Sequence, residues 1–182
     1  MALGATIFKA QLQVSDLDRG HYGAYALTLA RHPSETDLRM MLRILVFAQH
    51  AHEDLAFTRG LSTGDEPDLW RYDPAGSIIE WIELGTPDLK RIRKGCSRAL
   101  QMHLYSYHDR SAHTWWERTG TELERFDTLT VRHLPEEQTH DLTRLAQRTM
   151  TLHHTHQDGT IWLGDEHQTV AVTPLTWKGA HS

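Results

Sequence analysis

The sequence predicts a mixed α/β fold, with helices packed against a central mixed β-sheet. Three observations carry that prediction. Segments with the period-two alternation of a half-buried strand recur along the chain, the first at Phe8, Ala10, Leu12 and Val14. Segments with helical start signals and apolar stripes fall between them. Two hairpins marked by their turn residues add antiparallel pairs, so the sheet is mixed and not doubly wound, with one hairpin added near the C-terminus.

Taken in order, the first strand is followed by "HYGAYALTLARH", which predicts a short helix halted by Pro33, because proline disfavours α geometry in the residue before it. A second helix follows, with Ser34 as its cap and Asp37 three residues on. Its apolar face is Leu38, Met41, Leu42, Leu45 and Val46, extending to about His52. "LAFTRGLS" reads as a short strand and turn. It leads into a hairpin of "DLWRY", the turn "DPAG" and "SIIEWIELG".

Thr86 then caps a helix with Pro87 at its first position, and Leu89, Ile92, Cys96 and Leu100 mark its buried stripe. "MHLYSY" is the next strand. Residues 109–119 form a helix closed by Gly120 and carrying Trp115 and Trp116. "TLTVRHL" is a strand and "PEEQTHDLTRLAQR" a helix. The chain finishes with the hairpin "MTLHHTHQ", Asp158-Gly159, "TIWLG", and a last strand "QTVAVTPLTW"; Asp-Gly supplies the positive φ of a tight turn.

With 182 residues, 39% hydrophobic and 24% charged, the chain fits a single soluble domain spanning residues 1–182. A net charge of −5 argues against a protein held on nucleic acid by a broad basic surface. The single cysteine, Cys96, forms no intramolecular disulfide, which suits a reducing compartment. No window is apolar enough for a membrane span, and the N-terminal residues lack a signal-peptide pattern. The expected location is the cytoplasm, with no membrane partner.

Candidate chemistry concentrates in residues 66–85. If Leu69 and its neighbours pair with "SIIEWI" across the "DPAG" turn, Asp68 and Glu83 come out opposite each other, with Cβ atoms about 5 Å apart. Two carboxylates so placed either share a proton or hold a hard divalent cation through oxygen; the plainer alternative is a pair of solvated charges at strand ends. Glu83 shares its face of the strand with Ile79 and Trp81, so its carboxylate needs a partner, such as a cation, an arginine or a helix N-terminus. The next helix offers cations. Lys90 and Lys94 share a face, flanked by Arg91 and Arg98.

These residues match a known pattern. Pro67-Asp68, a hairpin, then Glu83-Leu84 resembles the PD-(D/E)xK nuclease core, with Gly85 where that motif has lysine. The stretches "LTLARHPSETDLRMMLR", "FTRGLS", "DEPDLW", "WIELGTPD", "RTMTL" and "QDGTIWL" make nearly the whole chain similar to the YaeQ family. That resemblance implies a compact variant of the PD-(D/E)xK nuclease-like fold in a bacterial family with no settled activity. It also implies Asp68 and Glu83 as Mg²⁺ ligands, the ion polarising a phosphodiester and acidifying the attacking water.

Gly85 cannot replace the motif lysine, so Lys90 or Lys94 becomes the candidate for stabilising charge on phosphorus. Glu35, near the start of the preceding helix, is the candidate third metal ligand, although an acid there also stabilises the helix through its dipole. His32, Arg59 and Arg91 are candidate substrate-binding groups. Fourteen histidines include His154 and His156, which share one strand face and are expected to be either solvated or transition-metal ligands. Two functions follow: a Mg²⁺-dependent phosphodiesterase or nuclease acting on nucleic acid, or a nuclease-like scaffold that works by binding without turnover.

Overall fold

The computed structural model describes residues 4–59 and 64–180. The chain divides into two compact units, the first drawn from residues 1–53, 59–63 and 137–173, the second from 54–58, 64–136 and 174–182. The fold is mixed α/β, as expected, with its strands divided between two mixed sheets.

The first unit is built on a five-stranded sheet in the order β10-β9-β8-β1-β2. Its strands are β1 (Thr6–Asp16), β2 (His21–Arg31), β8 (Thr149–Gln157), β9 (Thr160–Gly164) and β10 (Thr169–Val172). β1 lies antiparallel to β2 and parallel to β8. The segment expected to be a helix is therefore the strand β2. Its Leu27 and Leu29 are buried while Ala26, Thr28 and Ala30 are exposed, a period-two pattern that alanine's helix propensity masks in the sequence. Gly20, at φ +66°, makes the turn that folds β2 back on β1.

Helix α1 (Asp37–Gln49) is capped by Thr36, which accepts from the Arg39 N–H, so the cap lies two residues beyond Ser34. Every residue from Met40 to Ala48 is buried, including Arg43. The four-residue helix α4 (Glu136–Thr139) runs into a 3-10 helix (His140–Leu145), where the sequence predicts a single α-helix. β8 and β9 form the hairpin expected at Asp158-Gly159, with both residues at positive φ.

The second unit holds a six-stranded sheet in the order β11-β7-β6-β5-β4-β3. Its strands are β3 (Leu55–Phe57), β4 (Leu69–Tyr72), β5 (Ile78–Leu84), β6 (Ala99–Ser106), β7 (Leu129–His133) and β11 (Leu175–Lys178). β3, β4 and β5 form an antiparallel meander. β5, β6 and β7 are parallel, joined by α2 (Leu89–Arg98) and α3 (Asp109–Leu123). Trp81, Ile92, Met102, Leu104, Trp115 and Val131 fill the core between sheet and helices.

Four boundaries differ from expectation. Asp88, not Thr86, caps α2 by accepting from the Arg91 N–H. α2 also ends earlier, because Ala99 starts β6 and leaves Leu100 62% exposed. α3 continues through Gly120, whose missing Cβ leaves room for the Trp116 ring. The expected last strand breaks at Thr173-Pro174 into β10 of the first sheet and β11 of the second, since proline cannot donate to a ladder.

Candidate functional site

The β4–β5 ladder pairs Leu69 with Ile82, and the Asp68 N–H extends it by donating to the Ile82 carbonyl at 3.0 Å. Asp68 and Glu83 therefore meet across the hairpin, as the sequence predicts. They lie at the carboxyl end of the parallel strand β5, the end at which α/β sheets usually place their sites. Both are buried, at 6% and 3% exposure.

Each carboxylate is oriented by named donors. The Asp68 Oδ2 accepts the Leu84 N–H at 2.8 Å. Glu83 accepts the indole Nε1–H of Trp81 at 2.9 Å and the Nε–H of Arg91 at 2.8 Å. Burial pushes the Glu83 carboxyl above the usual carboxylate range. The hydrogen bonds from Arg91 and Trp81 and the Arg91 charge pull it back, while the Asp68 charge adds to the rise. That last effect places the two acids in electrostatic contact.

Arg91, on the first turn of α2, is a cation that meets Glu83. Its terminal nitrogens also donate to the carbonyls of Gly64 and Glu66, both at 2.6 Å, so one side chain ties the loop before β4 to Glu83. Lys94 pairs instead with Asp65 at 2.5 Å, and Lys90 is exposed. Gly85 has φ +115° and donates its N–H to the Tyr105 carbonyl at 2.8 Å. A side chain at that φ is strained, so the backbone geometry disfavours a lysine there.

The other sequence candidates belong to the first unit. Glu35 is 6% exposed and gripped by two arginines, Arg39 at 2.9 Å and Arg43 at 2.6 Å. Its N–H donates to the His32 carbonyl, while the exposed His32 ring accepts from the Ser34 N–H at 3.1 Å. Arg59 is exposed. Asp68, Glu83 and Arg91 are thus brought together, while Glu35 and His32 are held by groups of their own unit.

Sequence reasoning missed a third polar group, at the carboxyl ends of β6 and β7. Ser106 Oγ lies 2.8 Å from His133 Nδ1, and His133 Nε2 lies 2.8 Å from Asp109 Oδ1. Its composition is that of a hydrolase triad, but Ser106 is fully buried and the His133 ring is stacked on Trp177 at 4.5 Å between centroids. No substrate reaches that hydroxyl. The relay instead fixes the two strand ends to the start of α3, with Asp109 held below the usual carboxylate range by the Glu136 N–H and then by His133. The register pair Ser106–His133, two polar residues ending apolar strands, is the signal that could have revealed it.

A family model described as "YaeQ protein" matches residues 1–174. The uncharacterised protein YaeQ of Escherichia coli K12 is 46% identical over 178 residues, covering 98% of each chain. Its Salmonella typhi counterpart is 47% identical over the same span. The crystal structure of the YaeQ protein from Xanthomonas axonopodis pv. citri superposes with a TM-score of 0.93 at 43% identity, covering 96% of this chain and 99% of that one. The YaeQ protein from Pseudomonas syringae gives a TM-score of 0.91 at 31% identity over 98% of both chains. This chain belongs to the YaeQ family. Among the described residues no helix is long and apolar enough to cross a membrane.

Proposed function

We propose that this YaeQ family member is a Mg²⁺-dependent phosphodiesterase acting on nucleic acid, with Asp68 and Glu83 as the metal ligands. The observation behind the proposal is the buried, hydrogen-bonded meeting of those two carboxylates at the carboxyl end of β5. An all-oxygen donor pair suits a hard cation. Bound there, Mg²⁺ would supply Lewis acidity and a water of lowered pKa.

The chain's own residues set the conditions for that chemistry. Leu84 N–H and Trp81 Nε1–H fix the two carboxylates in place. Arg91 is paired with Glu83, while Lys90 and Lys94 add positive charge along α2.

A second reading, a nuclease-like scaffold that acts by binding alone, draws on two facts: Glu83 already has a cationic partner, and Gly85 stands where the motif has lysine. Calorimetric titration of Mg²⁺ and Mn²⁺ into wild type, Asp68→Ala and Glu83→Ala, with cleavage assays on single- and double-stranded DNA and RNA, separates the two. Ion binding and cleavage abolished by either substitution support the enzyme. Absence of ion binding by the wild-type protein would leave the scaffold.

A further inference from the structure

The two sheets have four edge strands, and three of them are blunted. β10 is four residues long and is followed at once by Thr173-Pro174. β3 is three residues long. β11 is four residues long, shifts register between Thr176 and Lys178, and turns the Lys178 ammonium inward to the Phe126 and Leu129 carbonyls. Short length, irregular register, proline and inward-pointing charge are devices that keep a sheet edge from pairing with another chain.

The fourth edge has none of them. β2 runs for eleven residues, each in register with β1 and without a bulge, and between His21 and Arg31 it holds no proline and no charged side chain. Its outer backbone groups follow from the neighbouring ladder. The Lys9 N–H is given to the Arg148 carbonyl and the Leu17 N–H to the His156 carbonyl, so the odd-numbered residues of β1 turn their backbone groups toward β8. In an antiparallel pair the residue opposite such a one also turns its N–H and C=O away from the ladder, and Lys9 is opposite Thr28. The alternation extends that outward set to Tyr22, Ala24, Ala26 and Ala30. Of their N–H and C=O groups, only the Ala30 carbonyl has a partner among the described residues, the Arg43 guanidinium at 3.1 Å.

The two faces of this sheet differ. Leu12, Val14, Leu152 and His154 are buried on one of them. Of the two histidines expected to be solvated or metal ligands, His154 thus lies inside the protein beside the Gln49 amide, and His156 lies between the carboxylates of Asp16 and Asp18. On the other face the side chains of Tyr22, Ala24, Ala26, Thr28 and Ala30 are exposed, Tyr22 at 64%.

We propose that β2 is a dimer interface, in which two copies of this chain join their β2 strands antiparallel about a two-fold axis at Ala26 and merge the two five-stranded sheets into one. A second copy fits because the edge is complementary to itself, as an interface on a two-fold axis has to be. With the axis at Ala26, Tyr22 stands opposite Ala30 of the partner subunit, Ala24 opposite Thr28 of the partner subunit, and Ala26 opposite its own counterpart. Every outward-facing residue therefore meets an outward-facing one. Such pairs exchange about ten backbone hydrogen bonds, the number of a typical protein–protein interface. No like charges meet along that run, and Arg31 at its end is already paired with Asp37. On the buried face Tyr25 comes beside Leu27 of the partner subunit, an aromatic–aliphatic cross-strand pair.

The test is sedimentation equilibrium of the full chain, with the wild type expected at twice the mass of one chain in the micromolar range. Ala26→Pro removes the N–H at the axis and leaves the β1 ladder intact, since proline is tolerated where an edge strand turns its N–H outward. It is expected to weaken dimerisation about 100-fold or more. Ala26→Lys, which sets two ammonium groups side by side at the axis, has the same effect, and it decides if circular dichroism shows the proline variant unfolded. Thr151→Lys, on the exposed face of the central strand β8, leaves the dimer unchanged. A wild type that stays monomeric throughout the micromolar range overturns the inference and leaves the edge to a strand of another protein. A dimer unaffected by Ala26→Lys, or one lost in Thr151→Lys alone, also overturns it. None of these results bears on Asp68 and Glu83.

Discussion

The two units each bury an acid cluster at a strand end, and they satisfy it differently. In the second unit, Glu83 meets two donors, an indole and a guanidinium, and its carboxyl is pushed up mainly by burial. In the first, His154 is buried beside Asp16 with one nitrogen unpartnered among the described residues, and burial drives its pKa down to about 4, against the opposing pull of the Asp16 charge. The difference lies in donor chemistry: oxygen alone in one cluster, imidazole with carboxylate in the other. It also gives the clusters opposite pH behaviour. Below pH 6.5 the unfolded chain binds more protons at residue 154 than the native one, so that contribution to stability rises with pH. At Glu83 the native chain binds more, so its contribution falls as pH rises through its folded pKa.

Glu35 calibrates both clusters, being a buried acid fully matched by arginines. Glu35→Ala leaves Arg43, itself 2% exposed, without its carboxylate, and is expected to cost about 3–5 kcal/mol in urea unfolding. If Mg²⁺ affinity fell with it and stability did not, Glu35 would be a ligand and the comparison would need a third acid. The acid limb comes next. Taking wild type from pH 6.5 to 4 should remove on the order of 3 kcal/mol through His154, and His154→Gln should flatten that slope.

A smaller effect is expected at the other cluster. Arg91→Met should cost about 1.5–3 kcal/mol at pH 7, as loss of a charged hydrogen bond does, and less at pH 4, where a protonated Glu83 no longer needs the guanidinium. An equal loss at both pH values would show that Arg91 acts through the loop carbonyls alone. Gly85→Ala, strained at φ +115° but free of clashes, should cost about 1–2 kcal/mol in thermal melts. Gly85→Lys should cost as much without restoring a motif cation.

Much of the second unit is legible in the sequence because its signals are local. The "DPAG" turn, the alternation along "SIIEWI" and the Pro87 start signal fix β4, β5 and α2 to within a few residues, and with them the Asp68–Glu83 meeting. The first unit is harder to read, because its strands owe their state to distant partners. β2 looks helical until β1 pairs with it, and "QTVAVTPLTW" cannot reveal that its halves join different sheets. Arg91 is a substrate-binding candidate by sequence and is found on Glu83, since spacing places it on a helix face but does not aim its guanidinium. Asp16 is easily overlooked although it continues the buried parity of Leu12 and Val14, a polar residue where the pattern calls for an apolar one.

The interleaved chain has a consequence for the order of folding. In the second unit, β5, α2, β6, α3 and β7 follow one another without interruption, so that core can condense from neighbouring segments. The β1–β2 hairpin of the first unit has to wait for β8, which aligns Lys9 with Thr149 across 140 positions of sequence. Long-range parallel pairing closes slowly because the loop entropy is lost before the contacts form. On the ribosome, the β1–β2 hairpin would stand with one edge open until nearly the whole chain had emerged, and in refolding its amides would be the last to gain protection from exchange.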